Sequence, residues 1–179
     1  MGLFDRLKKT SRSEKATASA SEAASGGGKV IKVADFLSEK TITFFPAGPS
    51  KKQAFGSLIA ALDLPDPNMA LKAILAREEA GSTQITPGIA LPHARLPGLP
   101  RLAAALGLCP GGVIDPIAKG ERIKVFLLFL GPAENMQQHL GFLAAASALF
   151  QRNNFVSAVL KLNSASSVLK KIRDVEKTF

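Results

Sequence analysis

Two histidines, His93 and His139, are the only imidazoles in this 179-residue chain. His93 sits among turn formers and small residues, in the run Pro87-Gly88-Ile89-Ala90-Leu91-Pro92-His93-Ala94-Arg95. His139 follows the most apolar stretch of the sequence, Val125 to Leu130. Imidazole is the side chain best suited to gain and lose a charged group near neutral pH. In its neutral form it is also a good nucleophile toward phosphorus. In-line phosphoryl transfer asks the protein mainly for positioning and for positive or hydrogen-bonding groups around the equatorial oxygens. Arg77, Ser82 and Thr83 upstream of His93, and Arg95 just after it, supply groups of that kind. Taken together they suggest a site built to carry a phosphoryl group.

The order of these residues carries a resemblance. Arg77-Glu78-Glu79-Ala80-Gly81-Ser82-Thr83, continuing to Gly88-Ile89-Ala90-Leu91-Pro92-His93, resembles the active-site signature of enzyme IIA domains of the fructose/mannitol type. These domains belong to the bacterial phosphoenolpyruvate phosphotransferase system. In style the chain is nearest to the stand-alone, nitrogen-related enzyme IIA proteins. A second stretch, Phe126-Leu127-Leu128-Phe129-Leu130-Gly131-Pro132 and then His139-Leu140, matches the part of the pattern that holds the second histidine. The resemblance covers about residues 30 to 179.

The resemblance implies roles. His93 is the expected nucleophile. His139 is expected to hydrogen-bond the phosphoryl group or orient the nucleophile, without being phosphorylated itself. Arg77 is expected near the active histidine, where it steadies a phosphate or an acidic residue of a partner. Ser82 and Thr83 either donate hydroxyl hydrogen bonds to the phosphate or satisfy the turn. Arg95 faces the donor protein or the solvent. The implied partners are a small HPr-like phosphoryl donor and, downstream, either a IIB domain or a regulated target protein. No IIB or membrane domain is fused within the 179 residues, which tilts the expectation toward regulation over sugar transport. One departure bears on this. Glycines usually flank the position of Ile85, and here Gln84 and Thr86 stand there, with Pro87 stiffening the next step. The departure motivates a second reading, a non-catalytic interaction module that keeps the fold.

Other chemistries lack their sequence marks. Two histidines and the single distant Cys109 do not make a closely spaced metal-ligand set. A Gly-x-Ser-x-Gly elbow and a Walker-type phosphate loop are both missing. Neither a metal nor a cofactor is therefore expected.

Composition bounds the rest. The formal charge is +9, of which residues 1–29 hold +3 through Arg6, Lys8, Lys9, Arg12, Lys15 and Lys29 against Asp5, Glu14 and Glu22. A basic chain suits an anionic partner. No nucleic-acid motif is recognisable, and the absence of Trp and Tyr removes two good stacking residues, so nucleic acid is not expected. One cysteine cannot form an internal disulfide, and no apolar run is long enough to span a bilayer. The expected location is the cytoplasm. Residues 8–29 are rich in Ser, Ala, Lys and Thr and end in Gly26-Gly27-Gly28, the composition of a flexible linker. Before them Leu3, Phe4 and Leu7 share one helical face, a candidate weak membrane-surface or partner contact. The sequence does not set the oligomeric state.

The elements that must position the histidines follow from local pattern. A short helix is expected at Val33–Leu37 and a strand at Thr41–Phe45. Ser50 is placed to cap a helix reaching about Leu62, with Phe55, Leu58, Ile59 and Leu62 on one face. Pro65 and Pro67 break the chain before a helix from about Met69 to Ala80, and Gly81 stands where that helix ends. Strands are expected near Gln84–Ile85, Ile89–Leu91, Leu102–Leu108 and Ile123–Leu130. The last is apolar without alternation, as in a central strand covered on both faces. Helices follow at about 135–151, 153–162 and 164–176. The expected fold is α/β: a tail at 1–29, then one layered domain at 30–179 with a mixed, about five-stranded sheet flanked by helices on both faces.

Overall fold

The computed structural model describes residues 30–117 and 122–179. The linker and short amphipathic helix expected at 1–29 lie outside the described residues.

Two 3₁₀ turns, Val33–Phe36 and Glu39–Thr41, lead into a short strand, β1 (Ile42–Phe44). Helix α1 (Lys51–Ala60) begins at a capping box: the Ser50 hydroxyl accepts from Gln53 N–H at 3.2 Å, and Gln53 returns its carbonyl oxygen to Ser50 N–H at 2.9 Å. Helix α2 (Pro67–Glu79) starts two residues earlier than expected. Asp66 caps it by accepting from Met69 N–H, and Pro67 takes the first helical position, where a missing N–H costs nothing. Short strands β2 (Gln84–Thr86), β3 (Ile89–Ala90) and β4 (His93–Leu96) follow, then the long pair β5 (Ala103–Ile114) and β6 (Arg122–Pro132). The chain closes with α3 (Met136–Phe150), α4 (Phe155–Val159) and α5 (Ala165–Glu176).

The sheet is mixed and has six strands, in the order β1-β5-β6-β3-β2, with β4 also pairing β6. β5 and β6 are antiparallel, while β1 runs parallel to β5, and β3 and β4 run parallel to β6. The sixth strand is β4, which local pattern does not announce. Prolines bracket it, and among the described residues its strand pairing is to β6, from His93 opposite Phe129 to Leu96 opposite Pro132.

β6 explains the layering. Every residue from Val125 to Leu130 is fully buried, and each large apolar side chain so buried contributes roughly 1.5–3 kcal/mol. Alternate side chains serve opposite faces. Val125, Leu127 and Phe129 join Phe142, Leu149 and Val168 under α3 to α5. Phe126, Leu128 and Leu130 join Phe55, Leu58 and Ile74 under α1 and α2. The second packing is close enough to require a glycine: a Cβ on Gly107 of β5 would lie 2.9 Å from the Phe45 ring and 3.2 Å from Leu58. Among the described residues no helix is long and apolar enough to cross a membrane.

The ends of the domain are tied by one carboxylate. Glu176 of α5 accepts from Val33 N–H at 2.6 Å and Ala34 N–H at 3.1 Å, all three residues being buried. A buried donor left unpaired costs about 1–3 kcal/mol. Glu176→Ala is therefore expected to lower unfolding stability by at least that amount in a urea titration. Glu176→Gln, which keeps an acceptor oxygen, is expected to lose less.

Candidate functional site

The loop between β3 and β4 is Leu91-Pro92, and it delivers His93 to the first position of β4. Backbone bonds fix both sides of it. Leu91 N–H donates to the Thr83 carbonyl at 3.0 Å, and the Pro92 carbonyl accepts from Phe129 N–H at 3.0 Å. The imidazole then turns back on its own chain, with Nδ1 2.7 Å from the Leu91 carbonyl oxygen. A carbonyl only accepts, so Nδ1 carries the proton. In the neutral ring this leaves the lone pair on Nε2. The ring stacks over Phe129, with centroids 5.3 Å apart and planes 23° apart.

His139 comes from the other direction. Asn135 caps α3 by accepting from Gln138 N–H, and His139 falls at the end of the first turn. Its side chain is drawn inward, leaving the residue 6% exposed. The two imidazole centroids are 5.3 Å apart, and Phe129 touches both, lying 4.9 Å from His139. Gly131 makes this possible, because a Cβ there would stand 3.1 Å from His139 Nδ1. That nitrogen has no hydrogen-bond partner among the described residues.

Burial lowers the pKa of His93, with the nearby Arg77 charge acting in the same direction against the Leu91 carbonyl and Glu78. Burial, followed by the charges of His93 and Arg95, brings His139 down to about 4. Both rings are neutral at pH 7. The consequence for stability has a definite sign. An unfolded imidazole binds its proton near pH 6.5, whereas folded His139 does not until about pH 4. Between those values the unfolded chain holds more protons, so stability falls as pH falls through this window. The urea midpoint is expected to drop from pH 6.5 toward pH 4, and His139→Gln is expected to make that drop shallower.

The remaining expected site residues divide into two groups. Arg77, in the last turn of α2, donates to the Gly81 carbonyl at 3.1 Å. Its charge reaches His93, and its other N–H groups have no protein partner among the described residues. Arg95 is exposed and donates to the Ala133 carbonyl at 3.2 Å, on the rim beside His139. Ser82 and Thr83 are placed differently from phosphate donors. The Ser82 hydroxyl donates to Asp115 Oδ2 at 2.6 Å, and the Thr83 hydroxyl donates to Glu78, which also accepts from Thr83 N–H at 3.0 Å. Both hydroxyl protons are spent on buried carboxylates, and the Thr83 carbonyl is what bonds onward to Leu91.

Sequence patterns gave no role to Phe129, Gly131, Lys51, Glu78 or Asp115. Glu78 offered one signal. A carboxylate in the last turn of a helix opposes the helix dipole, which points to a partner elsewhere. Lys51 and Asp115 offered none, since only the fold brings them together.

The profile of the family described as "Phosphoenolpyruvate-dependent sugar phosphotransferase system, EIIA 2" matches residues 35–175, most of the chain and the whole site. The chain belongs to this family. Among curated proteins it is similar to the PTS system fructose-specific EIIABC component of Bacillus subtilis strain 168, at 26% identity over 151 residues. That match takes in 82% of this chain and 24% of the relative, so the chain spans about a quarter of that protein's length. Among solved structures it is similar to the nitrogen regulatory protein IIA-Ntr of Neisseria meningitidis, with a TM-score of 0.70 at 23% identity over 78% of this chain and 98% of that one. It is similar also to a chain in the complex of enzyme IIAMtl with phosphorylated enzyme IIBMtl from Escherichia coli. There the TM-score is 0.63 at 15% identity, over 77% of this chain and 97% of that one. At these identities the structures show the EIIA fold.

Proposed function

We propose that the domain formed by residues 30–179 is a cytoplasmic phosphocarrier. It accepts a phosphoryl group on Nε2 of His93 from the phosphohistidine of a small HPr-like protein. It then passes the group to a IIB domain or uses its phosphorylation state to control a target protein. The observation that carries this reading is the bond from His93 Nδ1 to the Leu91 carbonyl, which leaves Nε2 as the nucleophilic nitrogen. In the step, the Nε2 lone pair forms the new N–P bond. The donor's N–P bond breaks, and its electron pair returns to the donor imidazole. His93 becomes a phosphoimidazolium whose Nδ1–H remains on the Leu91 carbonyl. A ring held in that state is a good leaving group, so the phosphoryl group stays transferable. In this reading Arg77 and His139 meet the phosphoryl oxygens, which the effect of the Arg77 charge on His93 and the 5.3 Å between the two imidazoles support.

The surface around the pair suits a protein partner. Met136 and Leu140 on the first turns of α3 are 46% and 55% exposed on either side of His139, and Arg95 is exposed beside them. Exposed apolar residues with a cation nearby suit docking of a partner that brings a phosphohistidine.

The reading is tested by incubating the protein with enzyme I, an HPr-type donor and phosphoenolpyruvate, and measuring intact mass. Gain of one acid-labile phosphoryl group by the wild type, absent from His93→Ala, supports it. No gain with a donor shown to be active contradicts it and leaves the non-catalytic interaction module.

A further inference from the structure

Lys51 is the first residue of α1, and a cation there is opposed by the helix dipole. The side chain is nevertheless only 12% exposed, with its ammonium drawn in between two carboxylates. It pairs with Glu78 and lies 2.9 Å from Asp115 Oδ1, and the Asp115 side chain is fully buried. Glu78 comes from the last turn of α2 and Asp115 from the residue after β5. Three separate parts of the chain therefore meet at one ammonium group.

Each carboxylate also grips the turn between α2 and β2. Asp115 takes the Ser82 hydroxyl and accepts from Ile117 N–H at 3.0 Å. Glu78 takes both the N–H and the hydroxyl of Thr83. Burial alone would raise Asp115. The Ser82 hydroxyl, Lys51 and the Ile117 N–H outweigh it and hold the carboxyl below its ordinary range, so it stays ionised. From Thr83 the bonding continues toward the nucleophile. The Thr83 carbonyl holds Leu91 N–H at 3.0 Å, and the Leu91 carbonyl holds His93 Nδ1 at 2.7 Å. Leu91 thus takes its orientation from Thr83 on one side and imposes it on His93 on the other.

We propose that Lys51 is a positioning residue for phosphoryl transfer, holding Glu78 and Asp115 together so that Thr83 and Leu91 keep His93 with its proton on Nδ1 and its lone pair on Nε2. The proposal rests on the phosphocarrier reading. With the ammonium removed, two like charges are buried side by side without a counterion. The simplest relief is to protonate or expel one of them, and either change releases the 82–83 turn. The nucleophile is then misplaced by a fraction of an ångström to an ångström, enough to cost on the order of 100-fold in rate.

The test compares wild type with Lys51→Met and Lys51→Arg. Three quantities are read: unfolding midpoint, initial rate of phosphoryl uptake from a saturating HPr-type donor, and the ¹⁵N imidazole shifts of His93. Lys51→Met is expected to slow uptake about 10- to 100-fold while the folded fraction stays high, and to move the His93 shifts toward a mixture of tautomers. Lys51→Arg is expected to restore most of the rate and the wild-type spectrum. Native uptake and an unchanged His93 spectrum in folded Lys51→Met would overturn the proposal. So would a rate loss no greater than the loss of folded protein. If Lys51→Met does not fold, Lys51→Gln, which keeps a donor for one carboxylate, is read by the same criteria. If the wild type itself takes up no phosphoryl group, the carrier reading fails. The imidazole shifts still report whether Lys51 sets the His93 tautomer.

Discussion

A chain carrying His93→Ala is expected to unfold close to the wild-type midpoint and to take up no phosphoryl group. The stability cost is small because the ring is only half-buried and makes one hydrogen bond, to its own neighbour Leu91; a typical net contribution of that kind is about 0.5–1.5 kcal/mol. The chemical cost is total because the structure offers no substitute. His139 is the other imidazole, but it is 6% exposed, and its Nδ1 faces Gly131, where a Cβ would stand only 3.1 Å from it. On the proposed reading His139 supports the transfer from that position without bearing the group. His139→Ala is therefore expected to keep labelling at His93 at a rate lower by on the order of 100-fold, the usual loss of one transition-state donor. Intact mass over a time course separates the two variants. Labelling that survives His93→Ala and vanishes with His139→Ala would exchange the two roles.

Phe129→Ala is expected to have the largest effect on stability, about 3–5 kcal/mol by denaturant titration, as for other buried phenylalanines cut to alanine. Phe129 is fully buried at the centre of β6 and packs on Phe142 at 4.7 Å. Its ring is also the floor under both histidines. The fold and the site therefore share this residue, and a milder change separates them. Phe129→Leu keeps most of the apolar volume and is expected to cost less than about 2 kcal/mol. It removes the flat surface on which His93 stacks. Slower phosphoryl uptake in a chain that is still well folded would show that the ring orients the nucleophile. Wild-type uptake in Phe129→Leu would reduce its role to filling the core.

The parts of the fold that sequence made legible are those set by local rules. The Ser50 cap and the apolar face of α1 follow from spacing, and the unbroken apolar run of β6 announces a strand covered on both faces. Where structure departs from expectation, a non-local partner is responsible. β4 has only four residues between Pro92 and Pro97, and β6 alone makes it a strand. β5 runs six residues past its expected end because, after an irregularity between Leu108 and Val113, Val113 and Ile114 pair again with Ile123 and Arg122. The helix expected at 153–162 shortens to Phe155–Val159, starting after Asn154 in the left-handed region at φ 61°.

The site divides in the same way. The two histidines and Arg77 were legible through the motif that carries them. For the hydroxyls of Ser82 and Thr83 sequence left two roles open, donating to a phosphate or satisfying the turn, and in the fold they donate to Asp115 and Glu78. Both acceptors pair with Lys51, which lies far away in sequence and marks no local pattern.

On the proposed reading one nitrogen, Nε2 of His93, takes the phosphoryl group because Nδ1 is already committed to Leu91. The most direct measurement is a ¹⁵N–³¹P correlation spectrum of the protein labelled on histidine and phosphorylated by its donor. The expected result is a single phosphorus-coupled nitrogen, Nε2 of His93, with Nδ1 still protonated. Coupling to Nδ1 of His93, or to either nitrogen of His139, would contradict it.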